Sequence, residues 1–178
     1  MKDFGLHLFG KSIVESIFSE MMNPYAHAMA VARCAQSAEI LIKARVAQEH
    51  PLLIFQSLPK ARSCNGFLSV NTLLHEGRSF MYADLPELLW ASTGHRISDI
   101  DTYNKFGRLR NTITHLGVPD LDLADEAVIF GFLVVEPLVR MFWGEDVISY
   151  MENYDCECFE YLQETLERLE IDFSRLER

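Results

Sequence analysis

The 178-residue chain has little of what several common protein classes need. Cysteine is scarce, four residues in all at positions 34, 64, 156 and 158, which is too few for a disulfide scaffold of this length and points to free thiols in a reducing compartment. No apolar run approaches the roughly 20 residues that a bilayer-spanning helix requires; the longest, Ala127 to Val135, is interrupted by Gly131. The first residues, Met1-Lys2-Asp3-Phe4-Gly5, lack a basic region followed by a long apolar stretch, so no secretory signal is expected and the cytoplasm is the default address. Basic residues are outnumbered 26 to 16, and a net charge of −10 excludes a protein that coats nucleic acid or anionic lipid through bulk positive charge.

Catalytic signatures are equally sparse. A phosphate-cradling Gly-rich loop and a serine-hydrolase elbow are absent, and no carboxylate cluster has metal-site spacing. The two thiols of Cys156-Glu157-Cys158 diverge on a helix and have no second ligand pair, so neither a metal nor another cofactor is expected. His27, His50, His75 and His95 are scattered and read as ordinary surface or satisfied histidines.

The 49% hydrophobic residues are distributed as in one globular domain, with no repeat, low-complexity stretch or long linker, so a single domain over residues 1–178 is expected. Its periodicity is helical. A first helix is expected over Phe4 to Met22, with Leu8, Ile13, Ile17 and Met21 facing inward. Asn23-Pro24 then offers a cap and a first-turn proline to a long second helix from Tyr25 to about His50, whose many alanines favour helix and let neighbouring backbones approach. Residues 56–98 read as a connecting region with short helices near Thr72–Tyr82 and Pro86–Ala91.

Ser98-Asp99-Ile100-Asp101 resembles a capping box, and Gly117 with Pro119 supplies a stop, which predicts a helix over about residues 99–116. A further helix is expected from Asp122 to about Trp143, kinked at Pro137, and an acidic last helix over about residues 145–170. Residues 145–178 hold 11 acidic and 3 basic residues, read as a solvated face because Tyr150, Tyr154, Phe159, Leu162, Leu166 and Leu169 recur at helical spacing within them. The expected fold class is therefore all-α, a bundle of about five main helices with a long second one.

The chemistry concentrates on the helix at 99–116. On a helical wheel Phe106, Leu109, Ile113 and Leu116 fall on one side and are expected to face the core. Gly107, Arg108, Asn111, Thr114 and His115 form an arc on the other side, with Arg110 at its edge. Arg110 offers a planar fork of donors to a phosphate, and His115 a group able to give or take a proton near neutral pH. Asn111, four residues before His115, is placed to orient the imidazole or bind a phosphate oxygen. Gly107, without a side chain, leaves room for close approach of a ligand or second helix. Lys105, Arg108 and Arg110 supply local positive charge within an acidic chain. An Arg and a His near a helix C-terminus also suit the helix dipole without any function.

Arg110-Asn111-Thr112-Ile113-Thr114-His115 resembles the signature of the HEPN family, an Arg, a polar residue and then a His after four intervening residues in total. The stretch from Ala35 to Ala44 followed by Pro51-Leu52-Leu53 is similar to that family's long second helix, and Thr72-Leu73-Leu74-His75-Glu76 lies where relatives carry a short helix. The resemblance covers about residues 25–140. It implies an all-helical domain that forms a homodimer with the motif helices of two protomers facing across a two-fold axis. It also implies a metal-independent endoribonuclease of the toxin or phage-defence kind, with RNA as substrate and an antitoxin or regulatory protein as a further partner. Arg110 and His115 then take the catalytic roles and Asn111 a supporting one. Glu39, four residues before Lys43, is placed either to form an ordinary surface pair with it or to orient Arg110 from behind. The Tyr that some relatives carry two residues after the His, as a modification target, is Gly117 here. The alternative is a non-catalytic HEPN module that binds a nucleotide or a partner protein.

Overall fold

The computed structural model describes residues 1–18, 23–60, 68–151 and 157–174. In chain order the elements are α1 (Lys2–Ile17), α2 (Ala26–Glu49), β1 (Phe55–Ser57), α3 (Val70–Glu76), β2 (Arg78–Ser79), α4 (Leu85–Thr93), α5 (Ile100–His115), α6 (Leu123–Phe130), α7 (Glu136–Trp143) and α8 (Glu157–Arg168). The chain is mostly helical, as expected, and among the described residues no helix is long and apolar enough to cross a membrane. Its internal contacts fall into two compact units, Met1–Leu41 with Ile97–Arg178, and Ile42–Arg96.

The larger unit holds the motif helix. In α1 the apolar positions Leu6, Phe9 and Ile13 recur at helical spacing and are fully buried, and the helix packs against α6 and α8. Leu8 and Ile17, expected inside, are only partly covered, and Met21 lies outside the described residues. α2 begins at Ala26, so Pro24 precedes the helix and does not occupy its first turn, and Asn23 Oδ1 accepts from the Tyr25 N–H at 3.0 Å in the turn ahead of it. The alanines of α2 are used as the composition predicts: Ala30, Ala35 and Ala38 are fully buried, together with Cys34.

α5 packs against α6 and the turn that follows it. Phe106 stacks flat on Phe130, ring centroids 4.0 Å apart and planes 3° apart, with Tyr103 tilted against the same ring at 6.2 Å. Between α6 and α7 the chain forms a π-helical turn over Gly131–Val135, immediately before Pro137. Proline has no N–H for the carbonyl four residues back and crowds it, and the wider turn relieves that clash. The freed carbonyl, that of Leu133, accepts instead from the Ser98 hydroxyl at 3.2 Å. Ser98 is thus not the cap of α5. That role belongs to Asp99, whose Oδ1 accepts from the Thr102 N–H at 2.9 Å and whose Oδ2 accepts from the Thr102 hydroxyl at 2.8 Å.

The single acidic helix expected over 145–170 is broken. Gly144 adopts φ 63°, a short 3-10 turn spans Val147–Tyr150, and α8 begins only at Glu157, so Tyr154 and Cys156 lie outside the described residues. Leu162 and Leu166 are fully buried, and Glu160, Glu164 and Glu167 are exposed.

The smaller unit contains an element the periodicity did not suggest, a two-stranded antiparallel ribbon pairing Phe55 with Ser79 and Ser57 with Arg78. Strands of three and two residues are too short to display alternation. α3 and α4 fall near the short helices expected there, and the His50 Nδ1 accepts from the Leu52 N–H at 3.2 Å to cap the turn after α2.

Candidate functional site on helix α5

Asp99 and Leu116 close α5 at its two ends, and the side chains between them divide more sharply than the sequence wheel suggested. Tyr103, Phe106, Gly107 and Leu109 are buried. Gly107 therefore faces inward, four residues and about 40° from Tyr103 on the helix, and does not belong to the polar arc where it had been placed.

Leu116 departs in the opposite sense. It was expected in the core but is 85% exposed, because α5 ends at His115, the backbone leaves helical geometry at Leu116, and Gly117 follows at φ 141°. Beyond the last helical residue the wheel no longer sets direction. Val118 and Leu121, 49% and 56% exposed, continue this apolar surface next to the motif.

Arg110 is half-buried, seven residues after Tyr103 and hence about 20° from it on the inward side of the helix. Its guanidinium lies between two side chains: Nη1 donates to Asn111 Oδ1 at 3.0 Å, and Nη2 stands 3.7 Å from Glu39 Oε2. Glu39 therefore stands within ion-pair distance of Arg110. Lys43 is buried and donates to Ser79 Oγ at 3.0 Å. Asn111, expected to serve His115 or a phosphate, has its amide oxygen committed to Arg110.

The other polar residues separate into tied and open. Thr114 is exposed, but its hydroxyl donates back to the Arg110 carbonyl at 2.7 Å, a common use of a helical threonine. Lys105 Nζ donates to Glu126 Oε1 at 2.6 Å, so its charge is offset by a carboxylate that nothing in the sequence spacing had connected to it. Arg108 and His115 are both exposed and have no side-chain partner among the described residues.

No group of three or more His, Cys, Asp or Glu side chains suited to a metal ion occurs among the described residues. A cavity of about 470 Å³ opens beyond the end of α5, walled by Ile17, His27, Pro119, Asp122 and Arg168, but no α5 side chain lines it. The arrangement on α5 is thus a braced guanidinium on one side, an open imidazole on the other and an apolar shoulder beyond. Comparison with protein-family models, with curated proteins and with solved structures gives no match.

Proposed function

We propose that this chain is a metal-independent endoribonuclease of the HEPN kind, a cytoplasmic toxin or phage-defence effector that acts as a homodimer. The observation that carries the reading is the pairing on one helix of an open, exposed His115 with an Arg110 held in place by Glu39 and Asn111. An imidazole with no side-chain partner among the described residues is available to move a proton, and a guanidinium braced from behind presents a fixed fork to a phosphate.

In the proposed reaction the RNA 2′-oxygen attacks the adjacent 3′-phosphorus as its proton passes to an imidazole. The bond to the 5′-oxygen then breaks, and that oxygen takes a proton as it leaves. Products are a 2′,3′-cyclic phosphate and a 5′-hydroxyl. Arg110 stabilises the charge gathered on the phosphorane oxygens. DNA, without the 2′-hydroxyl, is not cut.

Two features support a dimeric site. Arg110 and His115 are about 140° apart around α5, too far to grip one phosphate from a single helix, and a two-fold axis would bring the Arg of one protomer toward the His of the other. Leu116, Val118 and Leu121 offer exposed apolar surface beside the motif that a second protomer would cover. The alternative, a non-catalytic module binding a nucleotide or partner protein, draws on the partial neutralisation of Arg110 by Glu39.

The deciding experiment incubates wild type and His115→Ala with mixed RNA in excess EDTA, maps the product ends and measures the mass of the particle in solution. Cleavage by wild type alone, leaving 5′-hydroxyl ends, from a dimer, supports the proposal. Folded dimers of both that bind RNA or nucleotide without cutting would move the assignment to the binding module. Loss of the dimer in the variant would instead mark His115 as an interface residue.

A further inference from the structure

The three cations of α5 are not equivalent. Lys105 is bonded to Glu126, and Arg110 is paired with Glu39 and Asn111, whereas Arg108 meets no side-chain partner among the described residues. Arg108 also shares its line along the helix with His115. Seven residues separate them, about 20° in angle and about 10.5 Å in rise, with exposed Asn111 between and exposed Asn104 one turn before. Arg110 lies on the opposite side of that line.

We infer that Arg108 holds a backbone phosphate of a single-stranded RNA lying along this exposed stripe, about two helical turns from the phosphate cut at His115. The inference rests on the ribonuclease reading and gives its site a substrate class and a register. An unpaired arginine on a chain of net charge −10 is the one place on α5 where a phosphate meets uncompensated positive charge. A single strand is the fitting ligand because a duplex brings twice the phosphate charge per unit length toward the same acidic body. Readers of double-stranded RNA also need contacts spread over successive grooves, and one stripe on one helix does not provide them.

The test measures binding of a fluorescein-labelled, fully 2′-O-methylated single-stranded RNA of mixed sequence, which cannot undergo 2′-hydroxyl attack, over a range of salt concentrations. Wild type, Arg108→Gln and Lys11→Gln are compared. Lys11→Gln removes the same charge from α1. Cleavage of the unmodified RNA is followed in parallel. Arg108→Gln should weaken binding several-fold and lower the magnitude of the log–log salt slope by about 0.7, the value of one single-strand phosphate contact. Arg108→Gln should raise the KM for cleavage by the same factor as the loss of binding, and Lys11→Gln should leave the slope unchanged. If wild type binds and cleaves but Arg108→Gln keeps its slope, or if Lys11→Gln lowers it equally, the role of Arg108 is overturned and the ribonuclease reading stands. Equal affinity for a duplex of the same length overturns the single-strand assignment. If wild type neither binds nor cleaves, the ribonuclease reading itself fails, and this inference with it.

Discussion

Replacing Glu39 with Ala separates the two things its carboxylate does to Arg110. The groups are 3.7 Å apart and about a quarter exposed, 24% for Arg110 and 26% for Glu39. At an effective dielectric of about 20 their direct attraction is about 4.5 kcal/mol. Desolvation and the ordering of two long side chains offset most of it, leaving a net contribution of about 1 kcal/mol. Thermal unfolding should therefore shift down by only about 2–4 °C. The effect on turnover should be larger than that figure suggests. With Glu39 gone, Nη1 retains Asn111 at 3.0 Å but the guanidinium loses its brace on the other side. A displacement of the order of 1 Å at a phosphate-stabilising group costs up to about a hundredfold in rate. RNA binding should move the other way, because removing one negative charge beside the site weakens repulsion. The expected outcome is a cleavage rate at saturating RNA at least tenfold lower, with KM unchanged or reduced, and Glu39→Asp in between. Single-turnover cleavage across RNA concentrations reads both quantities. A rate at saturation equal to or above wild type would show that Glu39 only neutralises Arg110 and does not position it.

Phe106→Ala removes the ring stacked on Phe130 and should destabilise the chain by about 3–5 kcal/mol, read from denaturant midpoints at constant slope. Glu145 accepts from Lys2 Nζ and from the Tyr150 hydroxyl, which hold its carboxyl below the ordinary carboxylate range. The depressed native value means that this stabilisation is present above the unfolded pKa of about 4.3 and is lost as pH falls through the native value, so Glu145→Gln should flatten the acid limb of the stability profile. The same bond pushes Tyr150 up to about 12, so its contribution persists below the unfolded value near 10 and disappears as pH rises toward 12. Cys34 is fully buried, and desolvation raises its thiol to about 12. Mass spectrometry of the peptide bearing it should show no alkylation at pH 8 in the native chain and rapid alkylation in denaturant; native labelling would refute the burial.

The helices were legible where local rules decide them. The alanine-rich run of α2 bounded a helix to within a residue at each end, because its propensity is decided locally, whereas Pro24 falls ahead of the first turn. The 3-10 turn over Val147–Tyr150 was not legible, since the helical spacing of Tyr150 and Phe159 gives no sign of it. Nor was the cap of α5. Ser98 and Asp99 are both good caps, and the choice between them was made by Leu133, 35 residues away, whose carbonyl is freed by Pro137 and takes the Ser98 hydroxyl. The β1–β2 ribbon was too short to leave a period in the sequence.

At the candidate site, the sequence gathered the polar side chains of α5 but did not rank them. Spacing alone put Arg108, Arg110 and Lys105 in one class as nearby cations, and only the tertiary fold sorts them, since Glu39 and Glu126 arrive from other helices. Phe106 and Leu109 fix which side of α5 is inward, and that side includes Arg110, about 40° from Phe106. Burial in that position is why a carboxylate from α2 meets it: a half-desolvated guanidinium without an acceptor would be costly. His115 escapes the same pressure because α5 ends there and leaves its ring in solvent. Arg110 and His115 are thus kept on separate sides of the helix by the apolar stripe that anchors α5. A single protomer cannot rotate them together without exposing Tyr103 and Phe106. If the two act on one phosphate, the second group must come from another copy of the chain, so catalysis by this site and dimerisation stand or fall together.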